Sequence, residues 1–244
     1  MADHPTEARV AHQFDSSEQQ KQASAMGIWI FLLTEIMFFG AIFVAYAVYR
    51  GRFLDAFTVG THLLDLRRGS INTVLLMTSS FTMTLAVLAA RSNRKKQISK
   101  WLVATILLGV AFLGVKGMEY WAKFDHHLVP GTNFHYDSAI AAHVHETTTF
   151  PDKPSADEHF RALASTVKPG NVQLFFGFYF TMTGLHALHM IIGIGVLFFI
   201  LRMARRGRFD SANYNPLEVT GLYWHFVDMV WIFLFPLLYL AGRH

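Results

Sequence analysis

The stretch Val172–Leu201, VQLFFGFYFTMTGLHALHMIIGIGVLFFIL, runs for 30 residues without a formal charge. About 20 predominantly apolar residues suffice to cross the hydrocarbon core of a bilayer as a helix. This segment is therefore long enough to span a membrane and either tilt within it or project beyond it. Four more windows share its character. Met26–Tyr49 carries Glu35 as its only charge, and Gly69–Ala90 carries none. Trp101–Ala122 contains Lys116 and Glu119, and Val219–Ala241 contains Asp228. Lipid offers the backbone no hydrogen-bond partners, so such runs must be helices. A membrane barrel would instead show alternating segments of about ten residues.

Composition agrees. Of 244 residues, 52% are hydrophobic and only 16% charged, against about a quarter charged in an ordinary soluble domain. Intrinsic disorder, which needs low hydrophobicity, is excluded. The absence of Cys removes disulfides, thiolate metal sites and cysteine nucleophiles. A net charge of +4 would suit a nucleic-acid partner only if the basic residues formed a binding stripe. Here they sit in short clusters beside apolar runs, which fits membrane orientation and gives no reason to expect nucleic acid.

The expected fold is therefore an all-α integral membrane bundle of five transmembrane helices with one long outer loop. A polar tail (1–25) precedes the membrane domain (26–241), and the loop occupies 123–171. The tail has no apolar core of the kind a signal peptide needs. Lys and Arg concentrate on the cytoplasmic side of short loops. The tail and the second and fourth loops share one side and hold eleven of them: Arg9, Lys21, Arg91, Arg94, Lys95, Lys96, Lys100, Arg202, Arg205, Arg206 and Arg208. The short segments opposite hold Arg50, Arg52, Arg67, Arg68 and Arg243. The expected orientation is N-terminus cytoplasmic and C-terminus outside. The long loop is acidic and His-rich; His143 and His145 in it are too few for a structural metal site.

Ionisable groups within a membrane are costly and mark functional candidates. Glu35 lies about ten residues into the first span, some 15 Å deep at about 1.5 Å per residue. It either holds or relays a proton, or acts as a neutral acid hydrogen-bonded between helices. His186 and His189 lie three apart on the fourth span, and His225 and Asp228 repeat that spacing on the fifth. They suggest a buried polar network between the last two helices, with Asp228 orienting an imidazole. A haem held by two of the His is the alternative. A di-iron site lacks the paired Glu-x-x-His motifs it requires. Lys116 and Glu119, three apart near the outer end of the third span, are placed to pair with each other. Thr73, Ser79, Ser80, Thr82 and Thr84 in the second span, with Gly109, Gly193 and Gly195 elsewhere, allow close helix contact.

These residues fall in motifs that resemble a known family. MGIWIFLLTEIMFFGAIFVAYAVYR, INTVLLMTSS, GVKGMEYW, FTMTGLHALHMIIGIGVL and GLYWHFVDMVWIFLFPLLYL are similar, in order, to the helices of subunit III of haem–copper oxidases. The longer members have seven helices, and this chain matches the last five. The resemblance implies a non-catalytic membrane subunit of a proton-pumping terminal oxidase that passes electrons from cytochrome c to oxygen. It would carry no catalytic residue, haem or copper itself, those cofactors belonging to partner subunits. Its partners would be oxidase subunits I and II, membrane lipids including bound phospholipid, and cytochrome c indirectly, in a bacterial cytoplasmic membrane. The resemblance also implies support of assembly and proton uptake, and places Glu35, Glu119, His186, His189, His225 and Asp228 on motif positions. A quinol oxidase subunit or a nitric oxide reductase accessory protein remains the alternative within the same family.

Overall fold

The structure, a computed structural model, describes residues 13–125, 128–131, 134, 160, 162–209 and 213–242. Among the described residues every regular element is helical. Five helices are long and apolar enough to cross a membrane: α1 (Ser17–Arg52), α3 (Leu66–Arg91), α4 (Lys95–Asp125), α5 (Pro169–Arg205) and α6 (Asn215–Phe235). A short helix, α2 (Leu54–His62), joins α1 to α3. The chain is a multi-pass membrane protein.

The first four long helices overrun their apolar windows at both ends, and α6 begins four residues before Val219. α1 begins nine residues before Met26, because Gln19, Gln20, Lys21, Gln22 and Ala23 are good helix formers in water. Apolarity marks the part of a helix that lipid can hold, whereas backbone hydrogen bonding continues until a terminator arrives. Two terminators are of one kind. Asn93 (φ 54°) and Gly207 (φ 70°) are left-handed, and each is followed by a residue whose N–H reaches five residues back. These bonds are Arg94 to Ala89 at 2.8 Å and Arg208 to Met203 at 3.2 Å, each with the tighter bond of a Schellman cap inside it.

The fifth span does not stop at Pro236. It changes into a π-helical turn, Pro236–Leu240, because proline donates no hydrogen bond and its ring displaces the carbonyl one turn back. α2 arises where the sequence suggests only a loop. At nine residues it is far too short to span, yet it buries Ala56, Phe57, Val59, Gly60 and Thr61 and packs against the π-helical turn.

The helices contribute stretches to two compact units. Among the described residues one comprises 13–38, 74–112, 188–209 and 213–230. Its centre is Trp224, fully buried, whose indole N–H donates to Ser79 Oγ at 3.0 Å. A Cβ on Gly109 or on Gly193 would lie 3.0 Å from the Trp224 ring, so glycine lets α4 and α5 approach it. The other comprises, among the described residues, 39–73, 113–125, 128–131, 134, 160, 162–187 and 231–242. Its core is aromatic: Phe57, Phe175, Phe176 and Tyr46 are fully buried, with the Phe57 and Phe175 rings edge to face at 5.5 Å. Here Gly60 has no room at all, since a Cβ would sit 2.2 Å from Phe175 Cδ1. Tyr46 donates to the Leu237 carbonyl at 2.9 Å, Arg50 to that of Ala241, and His62 Nε2 lies 3.1 Å from that of Gly242. These bonds hold the chain after the π-helical turn.

Enclosure differs along the chain. In α1 only 11% of the most apolar stretch is buried, against 56% for the span formed by α6 and the π-helical turn. Trp29, Leu33, Ile36 and Met37 on α1 are all exposed. For a helix in a membrane such side chains meet lipid or a neighbouring subunit at no hydrophobic cost.

Candidate functional site

Two pairs of ionisable side chains and a hydroxyl-bound histidine stand out in the polar interior. In the first unit Glu35 Oε2 on α1 lies 3.1 Å from His189 Nε2 on α5. Their side chains are 18% and 14% exposed, so the pair is mostly enclosed but still partly open. Tyr223 of α6 donates to the His189 backbone carbonyl at 3.0 Å and stacks obliquely on Phe31, ring centroids 6.0 Å apart. The site is a carboxylate and an imidazole in hydrogen-bond reach, a pair that can share or exchange one proton.

His225 on α6 makes its contacts with α3. Its Nδ1 lies 2.6 Å from Ser80 Oγ and its Nε2 3.4 Å from Thr84 Oγ1. Ser80 and Thr84 are four apart and therefore on one helix face. Asp228 is buried, and the Ser80 hydroxyl interacts with it as well, although neither Asp228 oxygen meets full hydrogen-bond geometry. His186 is buried in the second unit with its ring against Trp231, centroids 5.3 Å apart. The anticipated four-residue network is thus distributed. Ser80 joins His225 to Asp228, His189 engages Glu35, and His186 packs on Trp231.

The second charged pair is built quite differently. Lys116 and Glu119 of α4 are both buried, with Nζ 2.9 Å from Oε2. The spacing of three residues puts them on one face, as the sequence suggests. The remaining valences are filled by two tyrosines that the sequence does not single out. Tyr239 and Tyr179 donate to Glu119 Oε1 at 2.6 and 3.0 Å. Lys116 donates to the Tyr239 hydroxyl at 2.6 Å, and its ammonium lies 4.8–5.2 Å from the centroids of Trp231, Tyr179 and Tyr239. A buried charge pair persists when its geometry is good and further hydrogen bonds satisfy both members. Lys123, also buried, donates to the Leu63 carbonyl at the end of the α2 segment.

No group of three or more His, Asp or Glu side chains converges in a metal-holding arrangement among the described residues. His225 faces a hydroxyl with each of its ring nitrogens, and His189 Nε2 faces a carboxylate. His143 and His145 lie outside the described residues.

Residues 6–145 and 170–243 match the sequence profile of the family described as "Cytochrome c oxidase subunit III". The chain belongs to the cytochrome c oxidase subunit III family. It is accordingly a non-catalytic subunit III of a haem–copper oxidase, associated with the oxidase complex. Individual relatives span the same length. The cytochrome c oxidase subunit 3 of Alkalihalophilus pseudofirmus is 30% identical over 217 residues, covering 89% of this chain and 86% of the relative. That of Thermostichus vulcanus is 26% identical, covering 94% and 92%. The cytochrome bo(3) ubiquinol oxidase subunit 3 of Pseudomonas aeruginosa is 28% identical, covering 96% and 92%.

Proposed function

We propose that this chain is the third subunit of a proton-pumping terminal oxidase that takes electrons from cytochrome c, and that its Glu35–His189 pair handles protons. The observation that carries the proton reading is geometric. A carboxylate about ten residues inside an apolar helix has one imidazole at 3.1 Å and an open side, where a purely structural pair would be closed. The complex would place subunits I and II beside this chain, and those subunits would hold the haem and copper. The Lys/Arg distribution supports a cytoplasmic N-terminus and an outer C-terminus, and the exposed apolar side chains support bound lipid. Cytochrome c as donor is favoured by the acidic outer loop, since outer negative charge steers a basic partner.

A quinol donor is the second reading, favoured by the Pseudomonas aeruginosa relative and by Staphylococcus relatives described as probable quinol oxidase subunit 3. Mild solubilisation, mass spectrometry of the intact complex and oxygen consumption with each donor decide between them. The expected result is co-purification with a catalytic subunit and turnover with reduced cytochrome c. Turnover with quinol alone would overturn the donor assignment. A stoichiometric Soret band on the isolated chain would overturn the assignment of haem to the partners.

A further inference from the structure

A cleft of about 260 Å³ opens between α3 and α6 in the first unit, lined by Thr84, Val87, Leu88, Arg91, Glu218, Gly221, Leu222 and His225. Its mouth is framed by an ion pair between Arg91 and Glu218, half exposed, with the Arg91 guanidinium over the Tyr214 ring at 5.5 Å. Its inner end is the imidazole of His225. A cleft this size, at about 30 Å³ per water, admits several waters, and Thr84, Arg91 and Glu218 give them polar partners. Gly221 contributes to the opening: a Cβ there would meet Met83 Cε and Val87 Cγ2 at 3.4 Å, so any larger side chain would crowd α3. Behind the ring, Ser80 Oγ is 2.6 Å from Nδ1. Behind Ser80 is Asp228, 3% exposed, with both oxygens lacking a hydrogen bond of full geometry.

A buried carboxylate so poorly satisfied is not stable as an anion in a membrane interior. Ser80 interacts with it and is itself bonded to His225, which gives a route outward. We propose that Asp228 is a buried proton store that exchanges with bulk water through Ser80, His225 and the α3–α6 cleft.

The transfer balances atom by atom. A hydronium entering the cleft from bulk water gives its proton to His225 Nε2 and is left as water. The Nδ1 proton passes to Ser80 Oγ, and the original Ser80 hydroxyl proton passes to the Asp228 carboxylate. His225 ends neutral in its other tautomer, Ser80 is regenerated, and Asp228 becomes a neutral acid. Release runs the same steps backward and restores the first tautomer, so no ring flip is required. The titratable groups along the route are Glu218, Arg91, His225 and Asp228. The site goes beyond the Glu35–His189 reading and shares no residue with it.

Difference infrared spectroscopy of the intact oxidase complex, transferred from water to deuterium oxide, tests this. The expected result is a carboxylic C=O band that vanishes in Asp228→Asn, persists in Glu35→Gln, and shifts on deuteration in the native complex. Ser80→Ala and His225→Gln should leave the band in place and slow its deuteration at least tenfold. These two variants keep the test decisive should Asp228→Asn fail to assemble. Loss of no band in Asp228→Asn would show an ionised carboxylate and overturn the store. Deuteration at the native rate in both Ser80→Ala and His225→Gln would overturn the route. Loss of the band in Glu35→Gln would assign it to the other site and overturn the proposal while sparing the Glu35 reading.

Discussion

Glu35–His189 and Lys116–Glu119 are both pairs of ionisable side chains within membrane helices, but their surroundings are opposites. Lys116–Glu119 is closed: Glu119 accepts from two tyrosines, and Lys116 lies within reach of three aromatic rings. Glu35–His189 joins two helices through a contact of 3.1 Å and keeps some exposure. A closed cluster resists any change in protonation, because every donor and acceptor already has a fixed partner. A partly exposed pair can gain or lose a proton while its neighbours stay in place. Intramembrane charge by itself therefore does not identify a working site. The number of fixed partners around it is the better guide.

The largest effect expected from this contrast is at the closed cluster. Lys116→Met leaves Glu119 buried without its cation, which should cost about 3–5 kcal/mol. Thermal release of this subunit from the complex should then occur well below the native temperature. The double variant Lys116→Met/Glu119→Leu should recover much of that loss. A single variant as stable as the native protein would erase the distinction between the two pairs. Next in size is Gly60→Ala, where the new methyl collides with a Phe175 ring held by buried aromatics. Overpacking of this kind costs about 1–3 kcal/mol, readable as the same thermal shift. Glu35→Gln should change stability by well under that, since interhelical hydrogen bonds in membranes average about 0.6 kcal/mol. The smallest effect is at Arg91→Gln. It removes a half-exposed ion pair worth about 0–1 kcal/mol, so denaturation should scarcely move. A shift there comparable with Lys116→Met would show that exposure does not separate these sites.

The five spans were legible because lipid excludes charge, and uncharged runs such as Val172–Leu201 survive nowhere else. The Lys116–Glu119 pairing was equally legible, because i and i+3 share a helix face whatever the fold. Tyr239 was not. An α-helical register applied beyond Pro236 gives the wrong face, since the π-helical turn adds a residue and rotates the side chains after it. α2 escaped notice because nine residues with one buried face leave too short a pattern to separate from a loop. The partner of Glu35 is set by the packing of α1 on α5, 154 residues apart in sequence, and no local spacing encodes it. Ser80 and Thr84 were visible as helix-contact hydroxyls. Their role as partners of His225 needed the α3–α6 register. The family motifs contain Glu35, Glu119, His186, His189, His225 and Asp228 without saying which residues they meet.

If the open pair moves protons while the closed cluster only holds helices together, one variant separates the two roles most directly. It is Glu35→Gln in the intact oxidase, followed through sustained turnover with proton uptake recorded. The expected outcome is full retention of the subunit and an unchanged unfolding temperature, together with slower proton uptake and faster inactivation during turnover. Native proton uptake and a native inactivation rate in Glu35→Gln would contradict a working role for the open pair.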